Sequence, residues 1–279
     1  MPSPARKLVA IVWSGLLAFF ILLAFQLIWG ALLAANFKNK FTAPPWSVVV
    51  MAVVLWLLWQ YLGGRWWPAS TSQWRRRHLR ANRVTGRAFA TSFIAGIFAV
   101  VALAGYWIVF FQLSKTPPNA LPDIFKFPLT SLILLLVMSS LVSPFAEEIA
   151  FRGYCQQILE REFAGPSAVV LSSLLFMLAH VNHGWYWPKL TVYLLAGLVF
   201  GAIALLTNSI LTSIPVHFIG DFTFFALVWP HDATRRLVTQ GGADSWFWIH
   251  VAQAVIFTLL ALLVFQRLAR LRASVVTIT

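Results

Sequence analysis

The residues most capable of chemistry lie in the stretch Ser143–Arg152, which reads Ser-Pro-Phe-Ala-Glu-Glu-Ile-Ala-Phe-Arg. It follows the apolar run Leu129–Val142, so Glu147 and Glu148 sit in or at the edge of a membrane segment. A charge there costs roughly 2.5–3.5 kcal/mol on insertion scales, and a chain rarely carries one without a use for it. On a helix Glu148 and Arg152 share a face, whereas Glu147 points about 100° away. Two adjacent carboxylates in a low-dielectric site resist being ionised together, and a cation favours ionisation of the one it touches. Glu148 is then the fixed, paired anion, and Glu147 is the one free to take and give a proton. A plainer reading is open at this point: a helix-end ion pair beside one solvated glutamate.

Two more polar pairs follow at helical spacing: Phe176-x-x-x-His180 at the end of one apolar segment and His217-x-x-x-Asp221 just after Pro215 in another. Each pair projects from one helix face. A lone histidine on an apolar helix is ordinarily a satisfied core residue. Three such sites on three segments, with few other buried ionisable groups, point instead to a shared interior cavity.

The elements that must position them are membrane helices. Of 279 residues, 60% are hydrophobic and 10% charged, and the mean hydropathy is +0.79. That composition defines an all-α, polytopic membrane protein and excludes a soluble domain of this size. Eight apolar segments approach the ~20 residues a span needs, at 8–35, 46–62, 88–113, 128–155, 166–182, 189–206, 209–229 and 245–266. The fourth is expected to run on as one long helix through Glu147 to Cys155, and Pro215 to kink or unwind the seventh. Residues 1–127 form a three-span scaffold or lateral gate, 128–229 the polar core, and 230–279 a last span with a basic tail.

The net charge of +13 sits in loops, which fits positive-inside bias and anionic lipid better than nucleic acid. Seven arginines crowd Arg65–Arg87, and excluding Arg152 the lysines and arginines divide 13 to 7 between the two sides. The arginine-rich loop and both termini are therefore expected in the cytoplasm, and the membrane is expected to be a bacterial inner (cell) membrane. Gly197 and Gly201 mark a close helix–helix approach. Cys155 is the only cysteine, and nothing beside it would activate a thiolate.

Glu-Glu-x-x-x-Arg, then Phe-x-x-x-His, then His-x-x-x-(Asn or Asp), in that order, resembles the CPBP group, the CAAX-protease and bacteriocin-processing (Abi) family of intramembrane endopeptidases. The resemblance covers about 128–229. It implies an irregular helical bundle around a polar cavity open toward the cytoplasm, acting on a membrane-attached protein or peptide. It implies Glu147 as catalytic glutamate, His180 as its partner in activating water, and His217 with Asp221 as holders of the substrate carbonyl and developing oxyanion. Glu148, Arg152 and Phe176 are implied as supporting residues. The chemistry agrees, because peptide hydrolysis needs a base within reach of a water and a donor where the tetrahedral oxyanion forms. Where the family allows Asn, a carboxylate at Asp221 cannot donate unless protonated. It is better suited to orient and charge His217, as in hydrolase triads.

No cofactor is required by this reading, although Glu147, His180 and His217 would suffice as an open zinc site; no tight ligand spacing such as H-E-x-x-H is present. His183 reads as part of a loop leading to the aromatic belt Trp185–Trp187. Two alternatives stand beside the protease: a proton-coupled transporter, and a non-catalytic immunity or scaffold protein on the same fold.

Overall fold

The computed structural model describes residues 3–38, 45–115, 127–181 and 184–276, all of them helical or connecting and none in strands. His183 lies outside the described residues. In chain order the helices are α1 (Pro4–Lys38), α2 (Trp46–Leu62), α3 (Ser72–Leu79), α4 (Gly86–Leu113), α5 (Leu129–Glu147), α6 (Gln156–Leu159), α7 (Gly165–Ala179), α8 (Trp187–Thr207), α9 (Ser213–Thr223) and α10 (Ser245–Val276). Glu148–Cys155 continues α5 into α6 as a π-helix, so 129–159 is one unbroken rod, four residues longer than expected. The wider π-turn falls on the Glu148–Arg152 stretch, as such turns often do at functional sites.

Five helices among the described residues are long and apolar enough to cross a membrane: 4–36, 86–113, 129–159, 187–207 and 245–272. The chain is an integral membrane protein, but the expected eight spans reduce to these five plus two shorter apolar helices, α2 and α7. The difference is largest at 209–229. There α9 has only 11 residues and gives way to a π-turn, Phe224–Val228. Its start is delayed because Asn208 adopts the left-handed conformation and Ser209 donates to the Asn82 carbonyl at 2.6 Å, which holds the backbone outside the helix. Pro215 is the third residue of α9. In a first turn its missing N–H interrupts no helical bond, so the kink expected before His217 is absent.

Two arginines of the arginine-rich segment, Arg75 and Arg80, are buried in a clasp, whereas Arg65, Arg76, Arg77, Arg83 and Arg87 stay exposed. Arg75 donates to the carbonyls of Trp66 (2.6 Å) and Pro68 (3.0 Å), and Arg80 binds Glu160 at 3.0 Å and Asn208 Oδ1 at 3.2 Å. Tyr154, on the π-helix, donates to the Leu62 carbonyl at 3.0 Å. Arg6 pairs with Glu162 at 2.8 Å, and Arg272 stands near enough to Arg80 to repel its charge. The first turn of α1, the last turns of α10 and these arginines therefore gather at one end of the bundle, the arginine end.

His78 is fully buried in this clasp. Its Nδ1 donates to the Trp74 carbonyl at 2.8 Å, which leaves Nε2 to accept from Arg161 at 2.7 Å. Burial first, and then Arg161 and Arg77, hold His78 below its usual 6.5 against the raising effect of the Trp74 bond. A neutral native imidazole must take up a proton on unfolding once the pH drops below the unfolded value, so its stability contribution is whole above about 6.5 and is lost as pH falls. The melting temperature of wild type should consequently fall more steeply between pH 7 and 5 than that of His78→Gln. Parallel profiles would contradict the assignment.

Candidate active site

Glu147 ends α5 one turn past Ser143, whose Oγ donates to Glu147 Oε1 at 2.7 Å. The same oxygen faces His180 Nε2 at 3.5 Å, and Oε2 faces His217 Nε2 at 3.5 Å. One buried carboxylate thus addresses two imidazoles, one through each oxygen. These separations exceed ordinary hydrogen bonds, leaving the opposed atoms near one another yet accessible to a third group.

Both rings have their other nitrogen committed. His180 follows the last residue of α7, and its Nδ1 lies 2.7 Å from the Phe176 carbonyl. A carbonyl only accepts, so Nδ1 carries the proton and Nε2 is the face turned to Glu147. The ring is flanked by Tyr193 at 4.3 Å and Phe176 at 4.5 Å between centroids. His217, on the first turns of α9, places Nδ1 3.0 Å from Glu148 Oε1 and stacks on Phe200 at 4.1 Å. Its Nε2 also faces Asp221 Oδ1 at 3.5 Å.

The carboxylate that orients His217 through Nδ1 is accordingly Glu148, and Asp221 lies on the Nε2 side. This corrects the expectation that Asp221 stands behind His217 as a triad carboxylate would. The reason is that α5 packs against α9, which brings the acid just past the end of α5 to Nδ1 while the acid on His217's own helix faces the other nitrogen. Arg152 Nη1 is 3.6 Å from Glu148 Oε1, with the guanidinium over Phe176 at 4.3 Å and Phe200 at 5.5 Å. One glutamate serves both cation and imidazole, so Glu148 is more than a charge partner.

All seven sequence-derived residues, Glu147, Glu148, Arg152, Phe176, His180, His217 and Asp221, meet around this centre. Sequence reasoning missed Ser143, Tyr193 and Phe200. Ser143 was legible as the residue four before Glu147. Tyr193 and Phe200 lie seven apart on α8 and flank Gly197, where an added Cβ would stand 2.9 Å from Ser173 Cβ. The small-residue contact that brings α7 and α8 together thereby sets the two rings against the histidines. Cys155 is buried and lies outside the cluster.

A cavity of about 660 Å³ has Glu147, His180, His217 and Asp221 in its wall. From that level it is lined by Ser139 on α5, Gly30 on α1, Trp107 on α4, Lys189 on α8 and Trp229 beyond α9. Each lies farther from the arginine end than the site does. The cavity therefore runs away from the arginine end, and two expectations conflict: an arginine end in the cytoplasm and a cavity open toward it cannot both hold.

Nitrogen lone pairs facing a carboxylate, with Nδ1 protons held from behind, suit zinc ligation chemically. Among the described residues no group of three His, Cys, Asp or Glu forms a ready-made metal cluster.

Residues 129–223 match the family model described as type II CAAX prenyl endopeptidase Rce1-like. The match runs from the first residue of α5 to the last of α9 and contains all seven site residues. This is the family that the motifs resemble, and over these residues the chain is similar to it. No curated protein and no solved structure matches the chain.

Proposed function

We propose that the protein is an intramembrane endopeptidase that hydrolyses a peptide bond of a membrane-attached protein or peptide through a water activated by Glu147 and His180. The observation that carries the proposal is the placement of each Glu147 oxygen 3.5 Å from a different histidine Nε2 inside a cavity large enough for a peptide. Water seated against Glu147 Oε1 and His180 Nε2 loses a proton to Glu147 as its oxygen attacks the scissile carbonyl. The oxyanion forms beside His217. Donation from Nε2 requires the doubly protonated ring, whose second N–H is held by Glu148 and whose charge Glu148 and Asp221 flank. The C–N bond then breaks as Glu147 returns the proton to the leaving amine. His180 holds the water in line for the attack.

The direct test incubates purified protein with lipid-anchored peptides and identifies products by mass spectrometry. Discrete cleavage by wild type supports the reading, and intact peptides throughout would remove it. Because the donors form no metal cluster, hydrolysis should survive exhaustive chelation. Inactivation reversed by added zinc would turn Glu147, His180 and His217 into ligands and defeat the glutamate-base mechanism.

The arginine end then lies in the cytoplasm, on the 13-to-7 division of basic residues and the position of Arg6 and Arg272 there. The catalytic cavity then opens toward the opposite side of a bacterial inner membrane, contrary to the orientation implied by the resemblance. Cysteines placed singly at Arg76 and Trp229 should be labelled by an impermeant reagent from opposite sides, Trp229 from outside. The reverse pattern would return the cavity to the cytoplasm.

A further inference from the structure

Arg77 and Arg161 are exposed cations that the fold gathers around one ring without an acid to offset them. Arg77 lies in the last turn of α3 and Arg161 in the turn between α6 and α7. The charges of both act on buried His78, and Arg161 Nη2 donates to its Nε2 at 2.7 Å. A neutral imidazole accepts that hydrogen bond but supplies no counter-charge. The acids on either side of Arg161 are already engaged, Glu160 with Arg80 at 3.0 Å and Glu162 with Arg6 at 2.8 Å. That leaves Arg77 and Arg161 without an acid partner among the described residues.

The ring that holds Arg161 is itself firmly placed. His78 is tied through Nδ1 to the Trp74 carbonyl, and its ring lies 4.2 Å from Trp74 and 5.9 Å from Tyr154 between centroids. A Cβ on Gly153 would stand 3.0 Å from the His78 carbonyl, so α3 rests directly on the π-helix. Two guanidinium groups at one point are complementary to a phosphate, whose oxygens accept paired N–H donors. The surroundings say which phosphate. Trp66, Trp67 and Trp74 are exposed, Trp67 by 85%, in a chain whose long helices are apolar enough to cross a membrane. Exposed indoles beside the end of a span mark the headgroup layer, where the phosphates belong to phospholipids. A zwitterionic headgroup would bring its own cation to two arginines, so the lipid that fits is one with net negative charge.

We infer that Arg77 and Arg161 form a binding site for the phosphate of an anionic phospholipid at the arginine end. The site is separate from the catalytic cavity and does not depend on the peptidase reading. Its test titrates purified full-length protein in neutral detergent with dioleoylphosphatidylglycerol or dioleoylphosphatidylcholine and counts bound lipid by native mass spectrometry. An arginine near an anionic headgroup is worth about fivefold, so wild type should bind the glycerol lipid about thirtyfold tighter than the choline lipid. Arg77→Gln/Arg161→Gln should lose most of that preference, each single variant should lose about fivefold, and Arg77→Lys/Arg161→Lys should keep most of it. Arg267→Gln/Arg270→Gln removes the same charge from exposed positions on the last turns of α10. It should leave the preference within about twofold of wild type. Should the double glutamine variant melt early, the single and lysine variants decide the matter.

Equal binding of the two lipids by wild type would overturn the site. Equal losses from the Arg77/Arg161 and Arg267/Arg270 variants would also overturn it, because the preference would then be one of diffuse charge. Displacement of bound phosphatidylglycerol by millimolar inorganic phosphate would make it a free-anion site and overturn the lipid assignment.

Discussion

Glu147→Gln is expected to lower peptide turnover by about 10²–10⁴-fold, the range of general-base catalysis, with the melting temperature unchanged. The amide keeps the shape and can still accept from Ser143, now 2.7 Å from Oε1, so the packing of α5 has no reason to relax. What is lost is the lone pair that takes the water proton and the anion between the two imidazoles. KM should move little, since Glu147 lies where the bond breaks. A Glu147→Gln protein with wild-type turnover would mean that another group is the base.

The second large effect concerns stability. Glu148→Ala or Arg152→Ala leaves one charge of a fully buried pair without its partner, which typically costs about 3–5 kcal/mol. Either variant should accumulate poorly and melt early. Glu148→Gln/Arg152→Met removes both charges and should regain much of the lost stability, with the Met side chain lying between Phe176 and Phe200 where the guanidinium was. Activity should not return with stability. His217 loses the carboxylate 3.0 Å from its Nδ1 and with it the support for a doubly protonated ring. A double variant both stable and active would show that Glu148 acts on Arg152 alone. Thermal melting and peptide turnover on the same preparations separate these outcomes.

Much of this site was legible in the chain because membrane burial makes each ionisable group conspicuous. Glu147, His180 and His217 could be chosen against an apolar background, and helical spacing correctly joined Glu148 to Arg152. Spacing along one helix says nothing about which acid on another helix reaches His217, so Glu148 was underread and Asp221 overread. The same limit hid Tyr193 and Phe200, whose apolar character reads as lining until the Gly197 contact sets them against the histidines. Hydropathy also drew an unbroken span over 209–229, where α9 starts only at Ser213. It scores side chains, whereas Asn208 and Ser209 divert the backbone. Nor could the run of arginines announce that Arg75 and Arg80 would be buried, since their partners are carbonyls and a glutamate distant in sequence.

The central claim is that Glu147 activates water and does not itself attack the peptide. A single-turnover cleavage of the lipid-anchored peptide in H₂¹⁸O, with enzyme in excess and products read by mass spectrometry, tests this most directly. Direct attack by water places one ¹⁸O in the new carboxylate of the first product formed and none in the enzyme. A first product carrying only ¹⁶O, with ¹⁸O appearing on Glu147, would instead show a covalent acyl-enzyme and contradict the mechanism.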